Sequence, residues 1–461
     1  MATTTAIKTT SKHAMFARIT HLCVLLVQRY LPSPFVFSAL LTLLVLAAGM
    51  LFTGQSLPAM VGHWNGGFWT LLAFAMQMAL IFVTGHALAN APAVSRQLDR
   101  LAGLAHSPGQ AVVLVTLVAL AGCWLNWGFG LVVGAVFAQA LARRVAGVDY
   151  PLLVAAAYSG FLVWHGGLSG SIPLALASGG ADLARVSGGV LTEAIGIQRS
   201  LFTPLNLAIV AGLAIGLPLL NRAMHPHEGV RVADPSLLAQ VRPEPPRRDT
   251  PAQRLDDSRL LALALVGMAL VYFVGHFASQ GFALGLNVVI ALFLFAGLLL
   301  HGTPERYMRA MDESVRGIGG IVLLFPFYAG IMGMMMGANA EGMSLGRQIS
   351  EAFVAWSSAE TFPLLAFLSA GVVNVFVPSG GGQWAVQGPI MLPAGQALGV
   401  APEVTAMAIA WGDAWTNMIQ PFWALPLLGI VGLGARDIMG YCLIMLLYSG
   451  AVICAAFYFL T

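Results

Sequence analysis

Asp413 sits in the run Trp411-Gly412-Asp413-Ala414-Trp415-Thr416-Asn417, inside an apolar stretch, and is the one acid in the core of an expected span. A charge at the centre of a bilayer costs about 2.5–3.5 kcal/mol, so a carboxylate there is read first as functional. It has three chemical options: to bind Na+, to relay a proton, or to orient neighbouring donors. The competing reading is a structural bond to a nearby Asn or Trp. Asn374 and Thr416 are the residues expected to share the handling of a coupling ion or proton with Asp413.

Four polar, glycine-rich interruptions surround this acid in the sequence. They are Cys123 to Gly130, Trp164 to Pro173, Asn374 to Pro389 and Trp411 to Pro421. The third packs Pro378-Ser379-Gly380-Gly381-Gly382-Gln383-Trp384 into an apolar context that no straight membrane helix tolerates. Broken backbone at membrane depth survives where protein or a watery cavity solvates it, and transporters build their sites there. Glycine-rich tips expose backbone N–H groups and helix N-termini, whose partial positive charge suits a carboxylate. The candidate substrate contacts are therefore Asn126, Trp127, Gly128, Gly130, Ser169, Ser379, Gly380, Gly381, Gly382, Gln383 and Asn417. The competing reading is that small residues let helices approach closely. Trp127, Trp164, Trp384, Trp411 and Trp415 wall a small apolar cavity or are ordinary core. His86 and His165, lone histidines in apolar runs, read first as hydrogen-bonded packing residues.

The elements that carry these residues are membrane helices. Hydrophobic residues make up 58% of the 461-residue chain and charged ones 9%, with mean hydropathy +0.82. A soluble domain carries roughly a quarter charged residues, so the fold class is an all-α polytopic membrane protein. Cys23, Cys123, Cys442 and Cys454 lack metal-ligand spacing and read as reduced thiols. No cleavage site follows the basic N-terminus, so no removable signal peptide is expected. No Walker motif, metal cluster or catalytic triad occurs, which argues against ATP-driven transport, a resident metal or cofactor, and an enzyme. Nothing suggests a nucleic-acid partner; the partner is the lipid bilayer. No Lys or Arg lies deep in a span, which points to a substrate with one negative charge or none.

Apolar stretches fall near 35–52, 68–89, 111–142, 150–178, 203–220, 258–276, 286–301, 317–337, 361–398, 404–432 and 437–459. A span needs about 20 residues, so 111–142 and 361–398 are too long for one crossing. Arg96 and Arg100 precede the first and Arg143 and Arg144 follow it, so both of its ends belong in the cytoplasm and the segment is a re-entrant hairpin. With both long segments as hairpins, only Arg185, Arg199 and Arg347 of the 22 Lys and Arg face outside. The divisions are then a cytoplasmic N-terminus (1–34), a first repeat (35–220) with hairpin 111–142, a cytoplasmic linker loop (221–257), an adaptor helix (258–276), and an inverted second repeat (286–461) with hairpin 361–398. The C-terminus falls in the periplasm. Matching the halves pairs Ser56-Leu-Pro58 with Thr303-Pro304, Asn126 with Asn374, and Ser169 with Asn417. Such repeats place a site at the midplane between the halves.

The Pro378 to Trp384 run resembles the bacterial short-chain fatty acid transporter family, of the acetoacetate/butyrate permease type (AtoE) within the ion-transporter superfamily. The likeness extends through Gly66-Gly67-Phe68-Trp69, Met76-Gln77-Met78, Asn126-Trp127-Gly128-Phe129-Gly130, Asp149-Tyr150-Pro151, Pro326-Phe327-Tyr328-Ala329-Gly330, Gln420-Pro421-Phe422-Trp423-Ala424-Leu425-Pro426 and Arg436-Asp437-Ile438-Met439-Gly440-Tyr441. It departs from the family's glycine-rich pattern at His165, which argues against that residue as a proton carrier common to the family. The resemblance implies secondary active uptake of short-chain monocarboxylates such as acetoacetate or butyrate across the bacterial inner membrane, coupled to H+ or Na+. It also implies a scaffold domain, a mobile transport domain moving as an elevator, and a homodimer. The alternatives are a dicarboxylate or other organic-anion carrier on the same scaffold, or a passive small-anion channel.

Overall fold

The computed structural model describes residue 16 and residues 18–178, 183–184, 187, 189–226, 228–238, 249–281, 286–315 and 318–461. Most of the basic N-terminus, most of the arginine-rich part of the linker, Arg185 and Arg316 lie outside the described residues. Those that are described fold into helices and connecting turns, with no strand among them.

Helix boundaries follow local chemistry. Serine, threonine, asparagine or aspartate caps many N-termini: Ser107 accepts from Gln110 N, Asp149 from Leu152 N and Thr203 from Asn206 N. Proline follows in the first turn of each, where its missing N–H is not needed. Five helices among the described residues are long and apolar enough to cross a membrane: Pro34–Thr53, Pro108–Leu125, Pro204–Ala223, Arg259–Gln280 and Ala435–Leu460. A sixth span arises if Ala75–Ala89 and Pro92–Ala102 are joined across their 76° bend. The chain is a multi-pass membrane protein.

Each overlong stretch is two antiparallel helices. Hairpin A joins Pro108–Leu125 to Trp127–Arg144 through Asn126 alone. Hairpin B joins Phe362–Phe376 to Gly380–Ala397 across the break Val377 to Ser379. The stretches 150–178 and 404–432 are interrupted as well. Tyr150–Ser159 and a 3-10 turn give way at Trp164 before Ser171–Ser178 begins. Pro402–Thr416 ends before Asn417, and Ala424–Val431 resumes beyond it. Asp413 thus lies in the last turn of a helix rather than in the break itself. The adaptor helix runs on to Gln280, past the residue 276 at which its apolar stretch ends.

The order of elements recurs in the two halves. Short helices of 12 residues, Leu57–Phe68 and Pro304–Val315, each precede an 18-residue helix, Leu72–Ala89 and Gly319–Met336. Helices of 11 residues follow, then the hairpins, then the interrupted segments. Packing is crosswise: Leu57–Phe68 lies along Gly319–Met336, and Pro304–Val315 lies along Leu72–Ala89. Each half's short helix therefore braces the other half's long one. Tyr150–Ser159 packs on hairpin A and Pro402–Thr416 packs on hairpin B.

Candidate functional site

Hairpin A closes tightly. A methyl group added to Gly130 would come within 2.2 Å of Cys123 N, so only glycine lets the two backbones meet here. Asn126 Oδ1 accepts from Phe129 N at 3.1 Å, and Trp127 N donates to Ser169 Oγ at 2.9 Å. Gly128 faces the Ile81 side chain, which a methyl there would meet at 2.2 Å. Four of the sequence candidates, Asn126, Trp127, Gly130 and Ser169, are engaged in holding this tip together.

Hairpin B is fastened by side chains instead. Gln383 Nε2 donates to Ala370 O at 2.8 Å and to Gln387 Oε1 at 2.9 Å. Gln387 Nε2 donates onward to Ser369 Oγ at 3.1 Å and Ser350 Oγ at 3.3 Å. The amide donors of Gln383 are thus spent inside the hairpin, and its Oε1 is buried without a hydrogen bond among the described residues. Ser379 caps the second helix, its Oγ accepting from Gly382 N at 3.3 Å. Around Gly381 there is open space, an added methyl group meeting no described atom within 4 Å beyond its own turn of helix, while Gly380 faces His165.

The interrupted segments converge on this second tip. Asn374 Nδ2 lies among Asp413 O at 2.8 Å, Asn417 Oδ1 at 2.9 Å and Thr416 Oγ1 at 3.0 Å. Gln420 Nε2 also donates to Asn417 Oδ1, at 2.9 Å, and Tyr158 Oη donates to Asn417 O at 2.9 Å. Asp413 receives little in comparison. Its Oδ1 lies 3.5 Å from Asn417 Nδ2 and 3.6 Å from His165 Nε2, and its Oδ2 has no hydrogen bond among the described residues. Asp149 shows what a structural buried carboxylate looks like in the same molecule: it accepts from Leu152 N, Arg231 N and Tyr441 Oη. An unmet buried acceptor costs about 1–3 kcal/mol, more if charged, so the under-bonded Asp413 remains a candidate.

The two histidines read from the sequence as packing residues differ in the structure. His86 is a packing histidine, with Nδ1 2.8 Å from Ser314 Oγ. His165 is fully buried, and neither ring nitrogen makes a hydrogen bond within the described residues. Its position inside the break Trp164-His165-Gly166-Gly167 was the available signal. Asn206 fixes that break, donating to Gly166 O at 3.1 Å while its Oδ1 accepts from Trp411 Nε1 at 3.1 Å.

An aromatic wall adjoins His165, whose ring centroid is 3.8 Å from that of Trp164. Trp127, Trp164, Trp423 and Phe161 pack together, with Trp127 5.0 Å and Trp164 5.5 Å from Trp423. The five tryptophans considered together in the sequence separate here. Trp415 donates to Leu446 O and Trp411 to Asn206, while Trp423 joins Trp127 and Trp164 from the Gln420 to Pro426 motif. Among the described residues the buried polar and charged set holds no lysine and no arginine, and no metal-binding cluster occurs.

A family model described as short chain fatty acid transporter matches residues 15–460. The chain belongs to that family. It is a family of transporters, so the protein is not an enzyme. Two relatives share the name "Putative short-chain fatty acid transporter". The one from Escherichia coli (strain K12) is 46% identical over 442 residues, covering 95% of this chain and 98% of its own length. The one from Haemophilus influenzae (strain ATCC 51907 / DSM 11121 / KW20 / Rd) is 42% identical over 458 residues, covering 97% and 100%. The crystal structure of the Alcanivorax borkumensis YdaH transporter is 17% identical at a TM-score of 0.41, covering 93% of this chain and 97% of its own.

Proposed function

We propose that this family member is a secondary active transporter that takes up short-chain monocarboxylates such as acetoacetate and butyrate, coupled to H+ or Na+. The substrate carboxylate lies at the open tip of hairpin B, against the N–H groups of Gly380 to Gly382, with Ser379, Asp413 and Asn417 around it. Its few carbons lie on the wall of Trp127, Trp164 and Trp423. The observation that carries this reading is the pairing of an open helix N-terminus at Gly381 with an aromatic wall, in a site without lysine or arginine. Helix N-termini favour a single anionic group by a few tenths to about 2 kcal/mol, which suits one carboxylate better than two.

In this reading both hairpins are re-entrant and the repeats are inverted, hairpin A entering from the cytoplasm and hairpin B from outside. The crosswise packing of the two halves supports the inversion. The hairpins and the interrupted segments form a transport domain that moves as an elevator against a scaffold of Pro34–Thr53, Leu57–Phe68, Leu72–Ala89, Arg259–Gln280 and Gly319–Met336. Two copies assemble through their scaffolds in the bacterial inner membrane, with cytoplasmic N-termini and periplasmic C-termini.

The test is uptake of labelled butyrate into proteoliposomes, with succinate and acetoacetate as competitors. Competition by acetoacetate but not succinate is expected. Competition by succinate alone moves the protein to the dicarboxylate class, and uptake that never exceeds equilibration under an imposed pH or Na+ gradient moves it to the channels.

A further inference from the structure

We infer that His165 carries the coupling proton and is the direct partner of the substrate carboxylate, so that uptake is a symport of one proton with each monocarboxylate. The inference rests on the transport reading and names the ion for its site.

Geometry comes first. A methyl on Gly380 would sit 3.0 Å from His165 Nε2, so the imidazole is aimed at the N-terminus of Gly380–Ala397. A fully buried imidazole at a helix N-terminus, with no hydrogen bond to either nitrogen among the described residues, supplies what the backbone alone does not, a donor that can also carry charge. The Trp164 ring lies against it, tilted by 45°.

The groups facing His165 set the charge balance. Hairpin B presents Gly380 and Pro402–Thr416 presents Asp413, while Ser171, at the start of Ser171–Ser178, lies on the same side of Gly380 as the imidazole. Tyr158 stands one step away, its hydroxyl committed to Asn417 O, and Cys123 lies behind the Gly130 crossing. With Asp413 ionised and His165 neutral, the empty site carries one negative charge. A carboxylate entering alone would double it in a buried place, which is costly. If the imidazole takes a proton from the loading side as the carboxylate arrives, the loaded site holds two carboxylates and one imidazolium. Its net charge is then unchanged, and the proton leaves with the substrate on the other side.

Three of the buried oxygens that could ligate a sodium ion are already engaged. Asp413 O, Asn417 Oδ1 and Thr416 Oγ1 converge on the Asn374 amide nitrogen at 2.8–3.0 Å, and that NH2 group fills the place a cation would take.

The experiment is calorimetric butyrate binding to the purified full chain, in buffers of different ionisation enthalpy, which counts protons taken up per butyrate. Wild type takes up a proton with each butyrate. His165→Gln binds about tenfold more weakly, the loss of one charge-assisted hydrogen bond, and takes up none. Asp413→Asn still takes up the proton, because the imidazole is intact. If His165→Gln does not stay monodisperse, His165→Gly serves: proton uptake is absent and returns with added imidazole. Undiminished proton uptake by His165→Gln overturns the inference, as does its loss in Asp413→Asn alone, which would put the proton on the carboxylate. Wild type that binds butyrate without a proton sinks this inference and leaves the transport reading standing. Wild type that binds no monocarboxylate sinks the transport reading itself.

Discussion

The two hairpin tips occupy matching places in the two halves and are built on opposite principles. Tip A turns through Asn126 alone, with the backbones in contact at Gly130 and Cys123 and with Gly128 lying against Ile81. Tip B needs three residues to turn, is held by a ladder of glutamine and serine side chains, and leaves space around Gly381. Glycine thus serves two ends. At 130 the missing side chain lets helices close; at 381 the space beside the backbone is open. The same composition marks a joint in one half and an opening in the other.

Substitutions can break or sharpen this contrast. The largest effect is expected from Gly130→Ala, which drives a methyl into the Cys123 backbone; overpacking of this kind costs about 1–3 kcal/mol or more. The purified variant should melt several degrees lower or aggregate on a sizing column. Gly381→Ala should keep the wild-type melting temperature and raise the half-saturating butyrate concentration instead. If both variants lose stability alike, the contrast fails. Next is Gln387→Leu, which strips partners from Gln383, Ser369 and Ser350 and should destabilise the protein by about 1–3 kcal/mol in thermal unfolding. The capping residues follow. Asn126→Ala and Ser379→Ala should each lose about 1 kcal/mol, yet only Ser379→Ala should change butyrate affinity. Smallest is Arg199→Gln, which removes a surface pair to Glu403 (2.8 Å) away from both tips. It should shift stability by about 0.2–1 kcal/mol and leave uptake kinetics as they are.

Much of this architecture is legible in the residues. Pro, Gly and Ser clusters mark each interruption, because a helix cannot keep its ladder through them. The ends of 203–220, 317–337 and 437–459 fall within a few residues of Pro204–Ala223, Gly319–Met336 and Ala435–Leu460. What the chain conceals is pairing across long separations. A lone histidine has no period to betray it, and His165 becomes distinctive only when the fold sets Asp413 and Gly380 beside it. Gln383 looks like a free donor until Ala370 and Gln387 take its amide. The tryptophans illustrate the same limit: residue type suggests a wall, but only packing selects Trp423 over Trp411 and Trp415. The 76° bend between Ala75–Ala89 and Pro92–Ala102 is foreshadowed by the proline, and its angle is set by the helices around it.

The most direct test of the account is substrate protection of an engineered thiol at each tip. Gly381→Cys and Asn126→Cys, in a background lacking reactive native cysteines, would be exposed to a maleimide with and without butyrate. Gly381→Cys should be alkylated and butyrate should slow its alkylation, while Asn126→Cys should react poorly and be indifferent to butyrate. Protection at Asn126→Cys with none at Gly381→Cys would contradict this and move the substrate to the other half.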